Sequence, residues 1–320
     1  MNCHTPGTWV LKKIGIKKGM KTVRLGTRGS KLALAQSHIV KEKLRIAYPD
    51  LEFLIIPIST KGDLDLTSPL SEIGGKNVFI KELEWALLEN RIDIAVHSLK
   101  DITSSLMPEL KLSAFLQAEA VNDVLLTKKK LDSLDELPLG SRIATGSMRR
   151  RALLKKIRPD LQTLDIRGNV LTRIEKLENE TFDGLILSEA GLLRLGLQNL
   201  ISYRFDPFTF CPAPGQGVIA LETRVEDFFI EGLCDSINDK NQAIKSKTEL
   251  SFLERVHFDC SAPLGLYAYL EGKEHIKLFG FLASEKMDRY IEETLCFPIE
   301  ERLDAAKVLS ELFLNWRKST

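Results

Sequence analysis

Two charged residues, Lys100 and Asp101, follow a short, mostly apolar segment of the sequence, with three residues in between. The segment 92–96 reads Ile-Asp-Ile-Ala-Val and is rich in β-branched residues, a pattern typical of a buried parallel strand. A strand that ends in Lys-Asp would deliver a cation and a carboxylate to the carboxyl edge of a sheet, where open α/β folds bind ligands. The same pattern also fits an ordinary strand that ends in a solvated turn.

A set of arginines falls in strand-to-helix loops or in the first turn of the following helix: Arg28, Arg149, Arg150, Arg167 and Arg173. In a parallel sheet these loops gather on one edge, where helix N-termini also present free N–H groups. Thr145 and Ser147 add hydroxyl donors beside two of these arginines. Because guanidinium groups bind carboxylates and phosphates bidentately, the pattern predicts a site for several such anions. The alternative is a set of solvated surface arginines.

Three other side chains have alternative interpretations. A lone carboxylate among arginines would repel an anion, so Asp101 suggests proton delivery or stabilisation of a developing positive charge; the alternative is a salt bridge. His97 is interpreted as a packed or capping residue, with a general base as the alternative. Cys260, in a loop with Pro and Gly, is either an exposed nucleophile or a buried inert thiol. The cysteine spacing does not suggest zinc, and no metal site is predicted.

Length and charge limit the function classes. A chain of 320 residues can form two or three domains. Its 45 basic and 44 acidic residues argue against a general nucleic-acid binder. No run approaches the roughly 20 apolar residues of a membrane span. No GxxxxGK[ST] motif and no GxGxxG after a strand support nucleotide binding. The sequence shows no export signal, so a reducing, cytoplasmic compartment is expected.

The first part of the chain predicts an α/β unit. Strands at 21–26 and 51–58 flank a helix at 31–47, with Ser30 as its N-cap. The Gly-containing stretch 61–76 is predicted to be a mobile lid or a disordered connection.

After Asp123, three successive strand-to-helix units imply a parallel sheet with right-handed crossovers. The Pro- and Gly-rich stretch 205–217 predicts a crossing between domains. From about residue 235 the pattern changes to α+β with an antiparallel sheet. Residues 1–20 are interpreted as a loose basic extension, or as the result of a start placed upstream of Met20.

The chain resembles the hydroxymethylbilane synthase, or porphobilinogen deaminase, family along nearly all its length after Met20. Seven short stretches carry the resemblance, in the family's order: 24–36, 74–84, 93–101, 145–150, 165–173, 212–217, and Cys260 with 263–267. The resemblance implies an α/β fold with two periplasmic-binding-protein-like domains and a small C-terminal α+β domain that carries the cysteine. The expected boundaries are 1–20 for a flexible extension, 21–117 with 217–235 for domain 1, 118–216 for domain 2 including the return crossing, and 236–320 for domain 3.

The resemblance also implies a transferase of tetrapyrrole (haem) biosynthesis. Such an enzyme condenses four porphobilinogen molecules, with release of ammonia, onto a dipyrromethane cofactor, and hydrolysis then frees linear hydroxymethylbilane. Cys260 would hold the cofactor through a thioether, and Asp101 would stabilise the cationic azafulvene and move protons. The residues implied to bind cofactor or substrate carboxylates are Lys100, Arg28, Ser30, Thr145, Ser147, Arg149, Arg150, Arg167 and Arg173. A cytoplasmic monomer without a nucleic-acid or membrane partner is expected.

Two places depart from the family's usual pattern. Gly146 stands where the family has a second hydroxyl residue, and Phe258-Asp259 replace the usual Gly-Gly before the cysteine. The charge of Asp259 would disfavour a thiolate at Cys260. Two other function classes stay open: a non-catalytic two-lobed anion-binding protein, and a phosphoryl or acyl transferase. The second lacks a phosphate loop and a nucleophile elbow.

Overall fold

A computed structural model describes five stretches of the chain: residues 22–59, 80–102, 106–179, 182–258 and 262–319. The extension at 1–20, the stretch 61–76 and Cys260 lie outside them. The chain divides into two compact units, the first Met1–Gln117 with Val218–Ala243 and the second Ala118–Gly217 with Ile244–Thr320. The division into three domains stays a prediction.

The helices and strands of the described stretches follow one another along the chain in a mixed order. They are β1 (Thr22–Arg28), α1 (Lys31–Ala47), β2 (Glu52–Ile58), α2 (Lys81–Leu88), β3 (Ile94–Ser98), β4 (Leu110–Phe115), β5 (Asp123–Thr127), β6 (Arg142–Ala144), α3 (Met148–Ile157), β7 (Gln162–Leu164), α4 (Val170–Asn179), β8 (Gly184–Ser188), α5 (Glu189–Arg194), β9 (Tyr203–Arg204), β10 (Ile219–Arg224), α6 (Phe228–Asp235), α7 (Lys240–Val256), β11 (Leu264–Glu271), β12 (His275–Ala283), β13 (Tyr290–Pro298) and α8 (Arg302–Lys318).

The first unit is built on a five-stranded sheet in the order β2-β1-β3-β10-β4. β1 runs parallel to β2 and β3, whereas β10 runs antiparallel to both β3 and β4. The buried side chains of β3 alternate between the two faces of the sheet. Val96 packs in a cluster with Leu44 of α1 and Leu233 of α6, while Ala95 packs with Leu83 of α2. Helices therefore cover both faces, which explains why β3 reads as a continuous apolar run.

The second unit contains a sheet in the order β7-β6-β8-β5-β9. β6 runs parallel to β7 and β8, and β5 runs antiparallel to β8 and β9. The two sheets thus share one arrangement: three parallel strands, then a strand that enters antiparallel, then an edge strand. In each sheet the antiparallel strand is the first one after the chain changes units.

A three-stranded antiparallel sheet, β11-β12-β13, also belongs to the second unit. One of its faces packs with α7 and α8, where Phe252 meets Phe313 with ring centroids 5.7 Å apart. Phe279 and Phe281 of β12 share a second cluster with Leu153 of α3. The small sheet is therefore packed against the neighbouring α/β layer.

These elements confirm the predicted fold class, α/β with a small C-terminal α+β part. The three strand-to-helix units after Asp123 are parallel as predicted. The sequence reading missed the antiparallel direction of β5 and β10, and it missed α6. Strand direction is set by long-range pairing, which a local pattern does not contain. No helix within the described stretches is long and apolar enough to cross a membrane.

Candidate active site

A pocket of about 70 Å³ lies at the carboxyl ends of β1 and β3 in the first unit. The parallel pairing of these strands brings their ends to the same edge of the sheet. Asp101 reaches the pocket from the 3₁₀ turn Leu99–Asp101, which follows β3 directly. The polar side chains that line the pocket are Arg28, Ser30, Gln36, His97, Ser98 and Asp101. Three of the predicted site residues therefore meet in one pocket, and Lys100 is adjacent to Asp101 in the chain.

The first turn of α1 forms one wall of this pocket. Ser30 is the N-cap of α1, and its hydroxyl accepts a hydrogen bond from the Ala33 amide at 3.2 Å. Gln36 is buried one turn further on, and its amide donates to the Ser98 hydroxyl at 2.7 Å. This hydrogen bond ties α1 to the end of β3. The wall combines a helix N-terminus with Arg28, a combination that favours an anionic group.

His97 lies at the same strand end and is buried. Its Nε2 lies 2.9 Å from Oε2 of Glu222, a fully buried residue of β10. The expectation that His97 is a packed residue is therefore met, and His97 is also one of the residues that line the pocket containing Asp101.

In the second unit, Arg149 and Arg150 are buried and bind one carboxylate. Arg149 Nη1 donates to Asp123 Oδ2 at 2.7 Å, and Arg150 Nη2 donates to Asp123 Oδ1 at 2.7 Å. Burial alone would raise the pKa of Asp123, but the charges and hydrogen bonds of the two arginines lower it to about 2. We call Asp123, Arg149 and Arg150 the arginine hub. It holds two positive charges and one negative charge away from water.

The remaining hydrogen bonds of the arginine hub fix its orientation. Arg149 Nη1 also donates to the Cys211 carbonyl at 2.7 Å, and Arg150 Nη1 donates to the Ile186 carbonyl at 3.0 Å. The side-chain amide of Gln216 donates to Asp123 Oδ1 at 3.1 Å. Gln216 Oε1 is buried and has no hydrogen-bond partner among the residues that the structure describes. The arginine hub therefore has one more positive charge than negative charge. Next to it, Gln216 Oε1 lacks a hydrogen-bond donor among the described residues.

The other predicted binding residues of the second unit lie in the loops after β6 and β7. Thr145 is fully buried and its hydroxyl accepts from the Ser147 amide at 3.3 Å, while Ser147 is the N-cap of α3. Arg167 lies 4.0 Å from Asp165, and Arg173 donates from Nε to the Gly168 carbonyl at 2.8 Å. Their roles in binding stay predictions.

The loop after β6 packs closely at Gly146, the position that departs from the family pattern. A Cβ atom at Gly146 would lie 2.9 Å from the carbonyl oxygen of Ile166. A residue with a hydroxyl side chain would push this loop away from the end of β7.

Comparisons with known proteins agree with the resemblance. A family profile described as "Porphobilinogen deaminase, dipyromethane cofactor binding domain" matches residues 23–231. A porphobilinogen deaminase of Clostridium novyi (strain NT) is 40% identical over 299 residues, which are 92% of this chain and 99% of that protein. One from Syntrophomonas wolfei is 43% identical over 298 residues, 92% of this chain and 96% of that protein. The chain belongs to the porphobilinogen deaminase family.

Membership of the porphobilinogen deaminase family confirms the predicted family, transferase class and dipyrromethane cofactor. Solved structures give weaker likenesses. The BvgS periplasmic VFT2 domain of Bordetella pertussis aligns with a TM-score of 0.42 and 15% identity, covering 77% of this chain and 94% of that chain. The BenM effector binding domain with benzoate aligns with a TM-score of 0.42 and 17% identity, covering 68% and 90%. These partial likenesses say nothing about ligands of this chain.

Sequence reasoning missed several polar residues at these sites: Gln36, Ser98, Asp123, Gln216 and Glu222. Asp123 and Glu222 were available as signals, because each is an acidic residue next to a run of three apolar residues in its strand. An acid in such a strand needs a partner, since burying an unpaired charge is costly. Within the described stretches, no group of three or more His, Cys, Asp or Glu side chains could hold a metal ion.

Proposed function

We propose that this chain carries out the stepwise condensation of four porphobilinogen molecules, with release of ammonia, and the final hydrolysis to linear hydroxymethylbilane. The observation that carries the proposal is the pocket at the ends of β1 and β3, which Asp101 and Arg28 both line. A carboxylate beside a cation suits a substrate that carries both carboxylates and an amine. The family membership of the chain supports the same reaction.

Asp101 is the residue that opposes positive charge in this pocket. Loss of ammonia leaves a cationic pyrrole, and a nearby carboxylate lowers the energy of that cation. Asp101 lies in a half-buried position, where charge interactions are stronger than in bulk water. Lys100 and Arg28 would hold acetate or propionate groups of the substrate, which leaves Asp101 for the reacting end.

The arginine hub is the part of the second unit that suits the dipyrromethane cofactor. The cofactor carries carboxylates, and the hub has one more positive charge than negative charge. Buried Gln216 Oε1 also lacks a partner among the described residues, as expected beside a ligand that donates hydrogen bonds. When bound, the cofactor supplies the primer to which the first substrate unit is joined. Cys260 would attach it, with Ser147, Thr145, Arg167 and Arg173 as further contacts.

Measurement of intact mass tests this assignment. The purified chain is expected to carry an adduct of two linked pyrrole units, and Cys260→Ser is expected to lack it. The matched control is Cys296→Ser, because Cys296 is an exposed cysteine of β13. An active protein without an adduct would overturn the proposed attachment, and a chain that does not consume porphobilinogen would overturn the function.

The proposal also covers the setting of the reaction. We place the chain in the cytoplasm as a monomer that acts on a small molecule without nucleic acid. The near balance of 45 basic and 44 acidic residues supports the last point. Light scattering across a hundredfold range of protein concentration tests the monomer, which is expected to keep a constant mass.

A further inference from the structure

The pair of His97 and Glu222 lines the same strand end as Asp101, and the roles proposed for Asp101 and Arg28 do not involve it. His97 is the fourth residue of β3, and Glu222 comes from β10, with Ala220 of β10 directly opposite His97. The two side chains are 5% and 0% exposed, and His97 Nε2 lies 2.9 Å from Glu222 Oε2. A fully buried acid thus holds the ring of a residue that lines the pocket.

The second ring nitrogen of His97 has no partner among the described residues. Within those stretches no hydrogen bond to Nδ1 is formed, and Nδ1 is not among the fully buried polar atoms that lack partners, whereas Glu222 Oε1 is. Because Nε2 is engaged by Glu222, Nδ1 is the ring nitrogen that the described residues leave for a further partner. A histidine ring held through one nitrogen by a buried acid is arranged to exchange a proton at the other.

The charged groups around His97 come from every element packed on it. Glu222 lies on β10, Glu84 and Lys81 on α2, Arg28 at the end of β1 and Asp101 in the turn after β3, while α1 contributes the uncharged Gln36. Burial and the charge of Glu222 raise the pKa of Glu84. Glu222 contacts the ring directly, at 2.9 Å from Nε2, and is the acid that would compensate a positive His97 ring.

Each condensation step must release a proton from carbon. A bond forms between the free α-carbon of one pyrrole and the methylene carbon of the next unit. The α-carbon then loses its proton, and the C–H electron pair restores the aromatic ring. We infer that His97 Nδ1 accepts this proton, and that Glu222 is the positioning residue that keeps the ring proton on Nε2 and stabilises the imidazolium. The proton then leaves to solvent before the next cycle.

This inference rests on the proposed function and assigns two steps of the reaction to two different residues. Asp101 opposes the cation made when ammonia leaves, and His97 takes up the proton made when the new bond is completed. General acid–base groups contribute about 10²- to 10⁴-fold to a rate, which sets the size of the expected effect.

Glu222→Gln tests the pair in the full chain with its cofactor. The carboxamide can donate to Nε2, which would move the ring proton to Nδ1 and block proton uptake there. We expect kcat to fall about 100-fold, within the range for such groups. Porphobilinogen with deuterium at its free α-carbon is expected to show a larger isotope effect on kcat than in the unmodified chain, because proton loss becomes slower. His97→Gln is expected to lower kcat and raise the isotope effect in the same way. Glu89→Gln, at an exposed acid that ends the neighbouring helix α2, is the matched control, and it is expected to change neither.

A nitrogen NMR spectrum of histidine-labelled protein gives a readout independent of turnover. The His97 signal, assigned by its loss in His97→Gln, is expected to show the proton on Nε2 in the unmodified chain and on Nδ1 in Glu222→Gln. If Glu222→Gln does not fold, the inference is tested by kcat and the isotope effect in His97→Gln together with the spectrum of the unmodified chain. The inference would be overturned if both variants kept the kcat and the isotope effect of the unmodified chain. It would also be overturned if the His97 ring of the unmodified chain were neutral with its proton on Nδ1. A chain that makes no hydroxymethylbilane would overturn the proposed function instead.

Discussion

The two five-stranded sheets share a strand order and differ in the chemistry of the strand that enters antiparallel. In the first unit this strand is β10, and its buried acid Glu222 holds His97. In the second unit it is β5, and its buried acid Asp123 holds two arginines. One sheet therefore places an imidazole at the carboxyl ends of its strands, and the other places two guanidinium groups there.

This difference suggests a division of roles between the units. A histidine and a half-buried Asp101 can exchange protons during a reaction, whereas a buried arginine hub presents a constant positive charge. The first unit is thus suited to the reacting end of the substrate, and the second to holding carboxylates. Variants that change one edge should leave the other intact.

The largest expected effect comes from Asp101→Asn, which removes the charge at the reacting edge and keeps the size. We expect kcat to fall about 10²- to 10⁴-fold because both proton transfer and cation stabilisation are lost. The adduct on the chain, measured by mass, is expected to stay near the level of the unmodified protein. Asp50→Asn, at an exposed acid of the same unit, is the control. Near-normal turnover in Asp101→Asn would make Asp101 a structural residue.

The second effect concerns stability, and Asp123→Asn produces it in the arginine hub. Two buried guanidinium groups would lose their counter-charge, which we expect to cost about 3–5 kcal/mol in the free energy of unfolding. Urea denaturation at pH 7 measures this cost. Asp160→Asn is the control, since Asp160 pairs with Arg158 in a position that is only partly buried, and a smaller loss is expected there.

The contribution of Asp123 to stability is also expected to depend on pH in a defined direction. The pKa of Asp123 is about 2 in the folded chain, below its ordinary value of 3.8. The stabilisation is therefore fully present above pH 3.8 and is lost as the pH falls through 2. Asp123→Asn should remove this part of the acid dependence. If the free energy of unfolding of Asp123→Asn fell at acidic pH as steeply as that of the unmodified chain, the two arginines would not depend on Asp123.

The third effect is a pH dependence of stability opposite in direction to that of Asp123. It comes from a buried acid, Glu249, that forms no ion pair within the described stretches. Glu249 of α7 accepts hydrogen bonds from the Gly215 amide at 2.7 Å and the Ala268 amide at 2.8 Å, and burial raises its pKa to about 7. The unfolded chain loses this proton near pH 4.5, so the contribution of Glu249 to stability falls as the pH rises from 4.5 to 7.

Glu249→Gln should flatten that decrease, which amounts to about 3 kcal/mol at most for a shift of this size. Urea denaturation at pH 5 and pH 8 measures it in both proteins. Glu254→Gln, in the same helix and exposed, is the matched control. Equal pH dependence with and without the Glu249 carboxyl would contradict the raised pKa.

The smallest effect is expected from Gly146→Ser, which restores a hydroxyl found in the family pattern. The added Cβ would lie 2.9 Å from the Ile166 carbonyl, so the loop must shift, and overpacking of this kind costs about 1 kcal/mol. Thermal unfolding should show a decrease of a few degrees. Gly29→Ser is the control, because no described atom lies within 4 Å of a Cβ added there. An unchanged transition in Gly146→Ser would mean that the loop moves freely.

Local patterns in the sequence predicted most of the elements that carry the site. The helix after Ser30, the strand before Lys100 and the strand-to-helix units after Asp123 all depend on short-range signals, and each lies where it was expected. The meeting of Arg28 and Asp101 in one pocket followed from a general rule, that parallel strands end at one edge of a sheet.

The partners of the buried charges were not predictable in the same way. His97 and Glu222 are 125 residues apart in the chain, and their contact depends on β10 pairing with β3. Arg149 and Arg150 were expected at a ligand edge, and the structure buries them on Asp123, because the direction of β5 brings that acid to α3. A single sequence contains no signal for such long-range pairs.

The position of β10 has a consequence for the synthesis of the chain. β10 lies between β3 and β4, and β4 is an edge strand that pairs with β10 alone among the described strands. The whole of Ala118–Gly217 must leave the ribosome before β10 exists, so the first sheet cannot close while the N-terminal part is being made. The second unit's α/β layer has no such gap among its five strands, which all lie between residues 123 and 204. Although it is encoded later, that layer is expected to finish folding first, and the unit that carries Asp101 to be completed after it.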